Sequence, residues 1–129
     1  MKKVVHFEIP VDNMERAKKF YGIFDWELQD WPMADGSVYV GCRTVATDPV
    51  THIPTEPGAI SGGMIQRNDV SKMTSVTLHV PSIDDYAEKV KKAGGSQLKP
   101  KTTIEGGSFA YFLDTEGNVF GLWEDGKKS

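Results

Sequence analysis

Apolar and polar positions follow the same order in the two halves of the chain. Residues 3–9 alternate between apolar and polar side chains, which predicts a strand. Apolar residues then recur every three to four positions across residues 14–24, which predicts an amphipathic helix of about three turns. The same order returns at residues 75–80 and 83–90. The pattern therefore predicts a module that is present twice.

A single offset aligns the two copies, placing His6 on Ser75 and Glu8 on Thr77. In the first copy His6 and Glu8 alternate with apolar residues, and in the second copy Ser75, Thr77 and His79 do so. These side chains are expected to face away from the helices. Copies of one module commonly form a cavity between them, so function is to be sought on these polar faces.

Each half continues with more strands. Within the first half, Thr44–Gly58 contains three prolines and few apolar residues, which predicts a long loop of the lid or rim kind. We predict an α+β fold in one domain of residues 1–129, with two βαβββ modules at about residues 1–67 and 74–126 that form a curved-sheet cavity. The further strands are predicted at residues 26–31, 37–43, 59–67, 97–104, 107–113 and 118–124.

Composition and charge narrow the range of functions. The chain has 129 residues, of which 39% are hydrophobic, and its formal net charge is −3 with scattered Lys and Arg. This distribution does not favour a nucleic-acid partner. No stretch approaches the roughly 18 apolar residues of a membrane span, and the first residues do not resemble a signal peptide. We expect a cytoplasmic protein with no membrane partner, in which the lone Cys42 is a packed thiol.

Three stretches carry a resemblance to a known family. They are H-F-E-I-P-V-D-N-M-E-R-A-K-K-F-Y-G-I-F-D-W from His6, A-I-S-G-G-M-I from Ala59, and D-T-E-G-N-V-F-G-L-W-E from Asp114. Together they resemble the vicinal oxygen chelate superfamily, which includes glyoxalase I, bleomycin-resistance proteins and extradiol dioxygenases. The likeness covers nearly the whole chain and is closest to a glyoxalase-related subgroup with a degenerate metal site. It implies a glyoxalase/bleomycin resistance-like fold and a homodimer.

The resemblance also implies where a metal would bind. Metal-dependent members use four His or Glu side chains, which fall here on His6, the Gly62–Gly63 pair, Ser75 and Gly121. Only His6 offers a suitable donor, whereas a catalytic metal needs about three protein ligands. We therefore expect no cofactor. A divalent metal in a site rebuilt from Glu8 or His79 is the alternative.

His6 and Glu8 are the candidate catalytic residues. A histidine titrates near neutral pH and a carboxylate can fix its tautomer, so the pair can orient a small molecule or act as base and acid. The alternative is that the two side chains only satisfy a buried polar patch. Glycines at the metal positions either widen the cavity or allow a close backbone approach. Ligand-binding residues are predicted at Ser75, Thr77, His79, Gly62, Gly63, Gly121 and Trp123, the last as an aromatic wall.

These expectations lead to one functional hypothesis and two alternatives. The sequence predicts a glyoxalase-related protein that binds a small organic molecule between its modules, without the usual metal site. The first alternative is a metal-dependent lyase or isomerase of the glyoxalase type with a rebuilt site. The second is a structural or interaction module with a filled cavity.

Overall fold

The computed structural model describes residues 1–126, and in this range it contains two α-helices and nine strands. The chain divides into two compact units. The first module is His6–Thr74, and the second module combines Met1–Val5 with the chain from Ser75 onward. The elements are β1 Val4–Val11, α1 Met14–Tyr21, a 3-10 helix Gly22–Phe24, β2 Glu27–Pro32, β3 Val38–Arg43, β4 Ser61–Gln66, β5 Ser75–His79, α2 Ile83–Lys92, β6 Ser96–Gln97, β7 Thr102–Ile104, β8 Gly107–Leu113 and β9 Val119–Asp125.

Strand order is the same in both modules. In the first module the order is β2-β3-β4-β1, and β4 runs parallel to β1. In the second module β6 and β7 both pair with β8, β8 pairs with β9, and β9 runs parallel to β5. The α+β class and the two βαβββ modules predicted from the sequence are confirmed.

One face of each sheet packs under the helix of its own module. Met14, Ala17 and Tyr21 of α1 and the β1 residues Phe7 and Ile9 pack against the first core. That core consists of Val11, Val40, Cys42 and Met64. The second core consists of Val80, Ile83, Ala87, Ala110, Phe112 and Leu122. The polar residues of β1 and β5 alternate with these core residues along each strand, which leaves them on the opposite face.

Both helices begin at a side-chain cap. The Asn13 side-chain oxygen accepts a hydrogen bond from the Arg16 amide at 2.9 Å, and the Ser82 hydroxyl oxygen accepts one from the Asp85 amide at 3.2 Å. These bonds satisfy amides that lack a partner in the first turn. Helix α1 has 8 residues, fewer than three turns, and the chain continues to Phe24 as a 3-10 helix.

The predicted strand at residues 97–104 is interrupted. The structure has β6 and β7 there, separated by residues 98–101, and Pro100 lies within the interruption. A proline carries no amide proton for the ladder, so it breaks the pairing with β8. The loop predicted at Thr44–Gly58 is confirmed: its regular pairing is limited to an isolated bridge between Thr47 and Pro54.

Candidate functional site

The polar face of the first module is defined by strand register. Glu8 of β1 pairs with Gly63 of β4, and Gly63 pairs with Gly41 of β3. Directly paired residues project from the same face of a sheet, so these three positions share the face opposite the first core. His6 and Tyr39, each two residues from a member of this row, lie on that face too.

A hydrogen bond joins His6 to Tyr39. The distance between His6 Nε2 and the Tyr39 hydroxyl oxygen is 2.7 Å, and the two rings lie nearly parallel. The phenol lies over Gly63, where a Cβ atom would overlap the Tyr39 ring and hydroxyl. Gly63 therefore provides the space that lets Tyr39 reach His6.

Burial controls the protonation of His6. Desolvation lowers the pKa of His6 below its ordinary value of 6.5, because removal from water disfavours the charged imidazolium. His6 is therefore neutral at physiological pH. A neutral imidazole has one donor and one acceptor nitrogen, so it can either accept from the Tyr39 hydroxyl or donate to it.

Glu8 lies on the same face and is 6% exposed. The Ser71 hydroxyl donates a hydrogen bond to Glu8 Oε1 at 3.0 Å. Ser71 is itself held by a turn in which the Asn68 side-chain oxygen accepts the amides of Val70 and Ser71, at 2.8 and 2.7 Å. The structure thus brings together the two predicted residues, His6 and Glu8, and adds Tyr39 and Ser71 to them.

The placement of Gly62 corrects the prediction that it lies in the site. Gly62 pairs with Phe7, and a Cβ atom there would overlap the Phe7 carbonyl oxygen and ring. Both residues project toward the first core, because they alternate with Glu8 and Gly63. Gly62 allows the close approach of Phe7, and only Gly63 of the glycine pair lies on the polar face.

The polar face of the second module carries the other predicted residues. Thr77 of β5 pairs with Gly121 of β9, and His79 pairs with Trp123. Ser75 is buried at the start of β5. A Cβ atom at Gly121 would lie 2.7 Å from Thr77 Oγ1. The space that this glycine leaves is thus partly taken by the Thr77 side chain and not by a neighbouring backbone.

Asp125 links two predicted residues of the second module, and sequence reasoning missed it. His79 Nε2 lies 2.8 Å from Asp125 Oδ2, and the Trp123 indole Nε1–H donates to Asp125 Oδ1 at 2.9 Å. The bonds from Trp123 and His79 hold the pKa of Asp125 below its ordinary value. The alternation of β9 was the available signal, because Gly121, Trp123 and Asp125 project from one face.

Two surface clefts lie away from these faces. One, of about 340 Å³, is lined by residues near the start of α1, and the other, of about 480 Å³, by residues 95–100 and Lys91. Neither is lined by a predicted site residue. No helix within residues 1–126 is long and apolar enough to cross a membrane.

Comparison with known proteins identifies the family. The model of the Glyoxalase/Bleomycin resistance protein/Dioxygenase superfamily matches residues 3–122. The chain belongs to this superfamily. A glyoxylase-like domain-containing protein from Didymella fabae is 29% identical over 121 residues, which cover 89% of this chain and 88% of that protein. The resemblance inferred from the sequence is therefore confirmed.

Solved structures of the superfamily share the fold. A methylmalonyl-CoA epimerase from Streptomyces coelicolor aligns with a TM-score of 0.69 and 13% identity, over 98% of this chain and 99% of the epimerase. A glyoxalase I mutant from Zea mays aligns with a TM-score of 0.68 and 18% identity, over 99% of this chain and 46% of the glyoxalase. TM-scores this high over nearly the whole chain demonstrate a common fold, and identities this low carry no statement about activity.

The superfamily's four-ligand metal site does not fit the residues present. In the first module Tyr39 covers Gly63 and is hydrogen-bonded to the Nε2 atom of His6. In the second module the two positions that the resemblance implies are Ser75 and Gly121. Glycine has no side-chain donor, and a serine hydroxyl is not among the usual ligands of a catalytic metal. Within residues 1–126, no group of three His, Cys, Asp or Glu side chains could hold an ion.

Proposed function

We propose that this superfamily member binds a small, polar and partly aromatic organic molecule on the face that carries His6, Glu8 and Tyr39, without a metal. The observation that carries the proposal is the hydrogen bond between His6 and Tyr39 across Gly63. The phenol bonded to the imidazole takes the space at Gly63, where the resemblance implies a metal ligand, and presents a hydroxyl and a ring to the bound molecule instead.

The neighbouring groups support recognition of a polar ligand. A neutral imidazole and a phenol hydroxyl can each donate or accept a hydrogen bond, and the Glu8 carboxylate is oriented by Ser71. Trp31 adds an apolar surface, because its indole lies against Gly41 in the same row. Few well-placed polar groups beside aromatic side chains are typical of small-molecule sites.

The test is a screen of polar aromatic compounds by ligand-detected NMR, followed by titration of the Tyr39→Phe and His6→Gln variants. Loss of the Tyr39 hydroxyl removes one hydrogen bond, so we expect affinity to fall about fivefold to tenfold. Tyr86→Phe, which removes a hydroxyl from α2, is the matched control and is expected to bind as the parent does. Equal affinity in all variants, or no bound compound, would contradict the proposal and favour a structural module.

Elemental analysis separates this proposal from glyoxalase-type metal chemistry. His6 and Glu8 supply an imidazole and a carboxylate on one strand face, two of the donor types that Zn²⁺ prefers. About one equivalent of metal in protein purified without chelators, lost in His6→Gln, would establish a rebuilt site. We expect no such stoichiometric metal. The dimer and the cytoplasmic location stay predictions of the sequence.

A further inference from the structure

The second module carries a polar cluster that the proposed function does not use. Asp125 accepts hydrogen bonds from both Trp123 and His79, at 2.9 and 2.8 Å. The side chains of His79 and Asp125 are 34% and 70% exposed. A bond from Nε1 to a carboxylate fixes the plane of the indole, so the position of Trp123 is set before any ligand binds.

Aromatic side chains extend from this cluster along one face. Trp123 pairs directly with Phe109 of β8, and Tyr111 lies two residues further along the same strand. The Phe109 and Tyr111 rings are in edge contact, with centroids 5.8 Å apart. All three rings lie opposite the second core, because they alternate with Ala110, Phe112 and Leu122. The face is thus an aromatic wall with a histidine at one side.

The carboxylate of Asp125 selects the tautomer of His79. The pKa of Asp125 lies below its ordinary value, so this carboxylate is ionised at neutral pH and can only accept a hydrogen bond. His79 Nε2 must then carry the proton of the 2.8 Å bond. In the neutral ring Nδ1 is left as an acceptor. A ligand group facing Nδ1 must therefore be a hydrogen-bond donor.

We infer that this face of the second module binds a phenol, whose ring packs against Trp123 and whose hydroxyl donates to His79 Nδ1. Asp125 acts through His79 and is a positioning residue. The inference goes beyond the proposed function, since it assigns a second site with its own ligand class to the other module. Phenol satisfies both requirements, because it combines a planar apolar ring with one strong donor.

The test compares phenol with anisole, which has the same ring but no hydroxyl proton. Both are titrated into the ¹⁵N-labelled protein while the Trp123 Nε1–H resonance is followed, assigned by its disappearance in Trp123→Phe. We expect phenol to move this resonance and to bind about fivefold more tightly than anisole, the size of one hydrogen bond. Equal affinities, or titration without movement of the Trp123 resonance, would overturn the inference.

Asp125→Asn tests the tautomer directly. An asparagine can donate its amide to His79 Nε2, which makes Nε2 the acceptor and places the proton on Nδ1. The preference for phenol over anisole should then disappear while anisole affinity is unchanged, a result that loss of packing would not produce. Asp84→Asn, at an exposed ion pair with Lys101 in the same module, is the matched control and should retain the preference. A preference that survives in Asp125→Asn would contradict the assigned role.

This result can be separated from failure of the proposed function. Titrations that move resonances of His6 and Tyr39 but leave the Trp123 resonance unchanged would reject the phenol site and leave the first-module proposal standing. A phenol preference at Trp123, with no resonance of His6 or Tyr39 moved by any compound of the screen, would reject the first-module site instead.

Discussion

The two modules have equivalent strand pairings but carry different residues at the equivalent positions. In the first module the row across β1, β4 and β3 is Glu8, Gly63 and Gly41. In the second module the corresponding row across β5, β9 and β8 is Thr77, Gly121 and Tyr111. A glycine is thus common to both rows, at the position that metal-dependent relatives are expected to use.

The two glycines are covered from different directions. Gly63 lies under Tyr39, which reaches it from β3, whereas Gly121 is contacted by Thr77 from its own partner strand β5. A large ring fills the first space and a small hydroxyl group contacts the second. The first module therefore holds its candidate residues by close packing, and the second holds His79 and Trp123 through the exposed carboxylate of Asp125.

The core faces also differ, at the residues one position earlier in the same strands. The first module has Phe7 on β1 and Gly62 on β4, and the Phe7 ring occupies the space of the missing side chain. In the second module the aromatic residue is Phe120 on β9, and Val76 on β5 is 43% exposed. The aromatic ring therefore lies on β1 in the first module and on β9 in the second, so equivalent core positions are packed from different strands.

The largest effect is expected from Gly62→Ala. The added Cβ would overlap the Phe7 carbonyl oxygen, and backbone cannot rotate away as a side chain can. We expect the free energy of unfolding to fall by about 3 kcal/mol, the upper end for overpacking, and Tm to be lower in thermal denaturation. Gly117→Ala is a poor control because of its positive φ, so Gly22→Ala, with open space at Cβ, is the better one.

The buried thiol reports where Gly62→Ala acts. Cys42 pairs with Gly62 and is 1% exposed, and burial raises its pKa to about 11. The folded protein should react slowly with iodoacetamide, because the thiolate is the nucleophile. Faster alkylation in Gly62→Ala at a temperature where the parent is protected would localise the disruption to the first module. Unchanged alkylation together with an unchanged Tm would show that Phe7 can move aside.

A smaller effect, and a direct contrast of the modules, is expected from Gly63→Ala and Gly121→Ala. At Gly63 the new methyl group displaces the Tyr39 ring, whereas at Gly121 it meets Thr77 Oγ1 at 2.7 Å and other Thr77 atoms only at 3.4 Å. We expect losses of about 2 and about 1 kcal/mol in denaturant unfolding, within the range for overpacking.

Second-site changes distinguish overlap from a general intolerance of alanine. Tyr39→Ala removes the ring, so the further change Gly63→Ala should cost little in that background. Thr77→Ser should not rescue Gly121→Ala, because the contacting Oγ1 atom is retained, whereas Thr77→Ala should. Equal losses at the two glycines would show that the two modules tolerate a methyl group at this position equally.

The sequence predicted the elements because their signals are local. Alternation located β1 and β5, and the recurrence of apolar residues every three to four positions located α1 and α2. The break between β6 and β7 was missed, because Leu98, Thr102 and Ile104 continue the alternation on both sides of Pro100. A proline should have weighed more heavily than that pattern.

The site was only half predicted, because its remaining contacts are not local. His6 and Glu8 followed from alternation, but Tyr39 is linked to His6 only through the register of β3, β4 and β1. Ser71 lies in a loop and reaches Glu8 across 63 positions of sequence, which no periodic pattern records. The prediction placed Gly62 in the site together with Gly63, although adjacent residues of a strand project from opposite faces of the sheet.

The smallest predicted effect is a difference in pH dependence between the modules. The folded-state pKa of His6 is lowered by burial, so below pH 6.5 the unfolded chain binds a proton that the folded chain excludes. Stability should therefore decrease as pH falls from about 6.5 toward the folded pKa, and His6→Gln should flatten this slope.

The pKa of Asp125 is also lowered, first by its bond from Trp123, but its ordinary value is 3.8. Its contribution is present above that value and is lost only as pH falls below it, so Asp125→Asn should lower stability by a constant amount at neutral pH and remove only the slope in strong acid. Urea midpoints measured from pH 7 to pH 3 for the parent and both variants check this order. A slope near pH 6 that survives in His6→Gln would mean that His6 is not the buried group that titrates, and it would remove the electrostatic difference between the two polar faces.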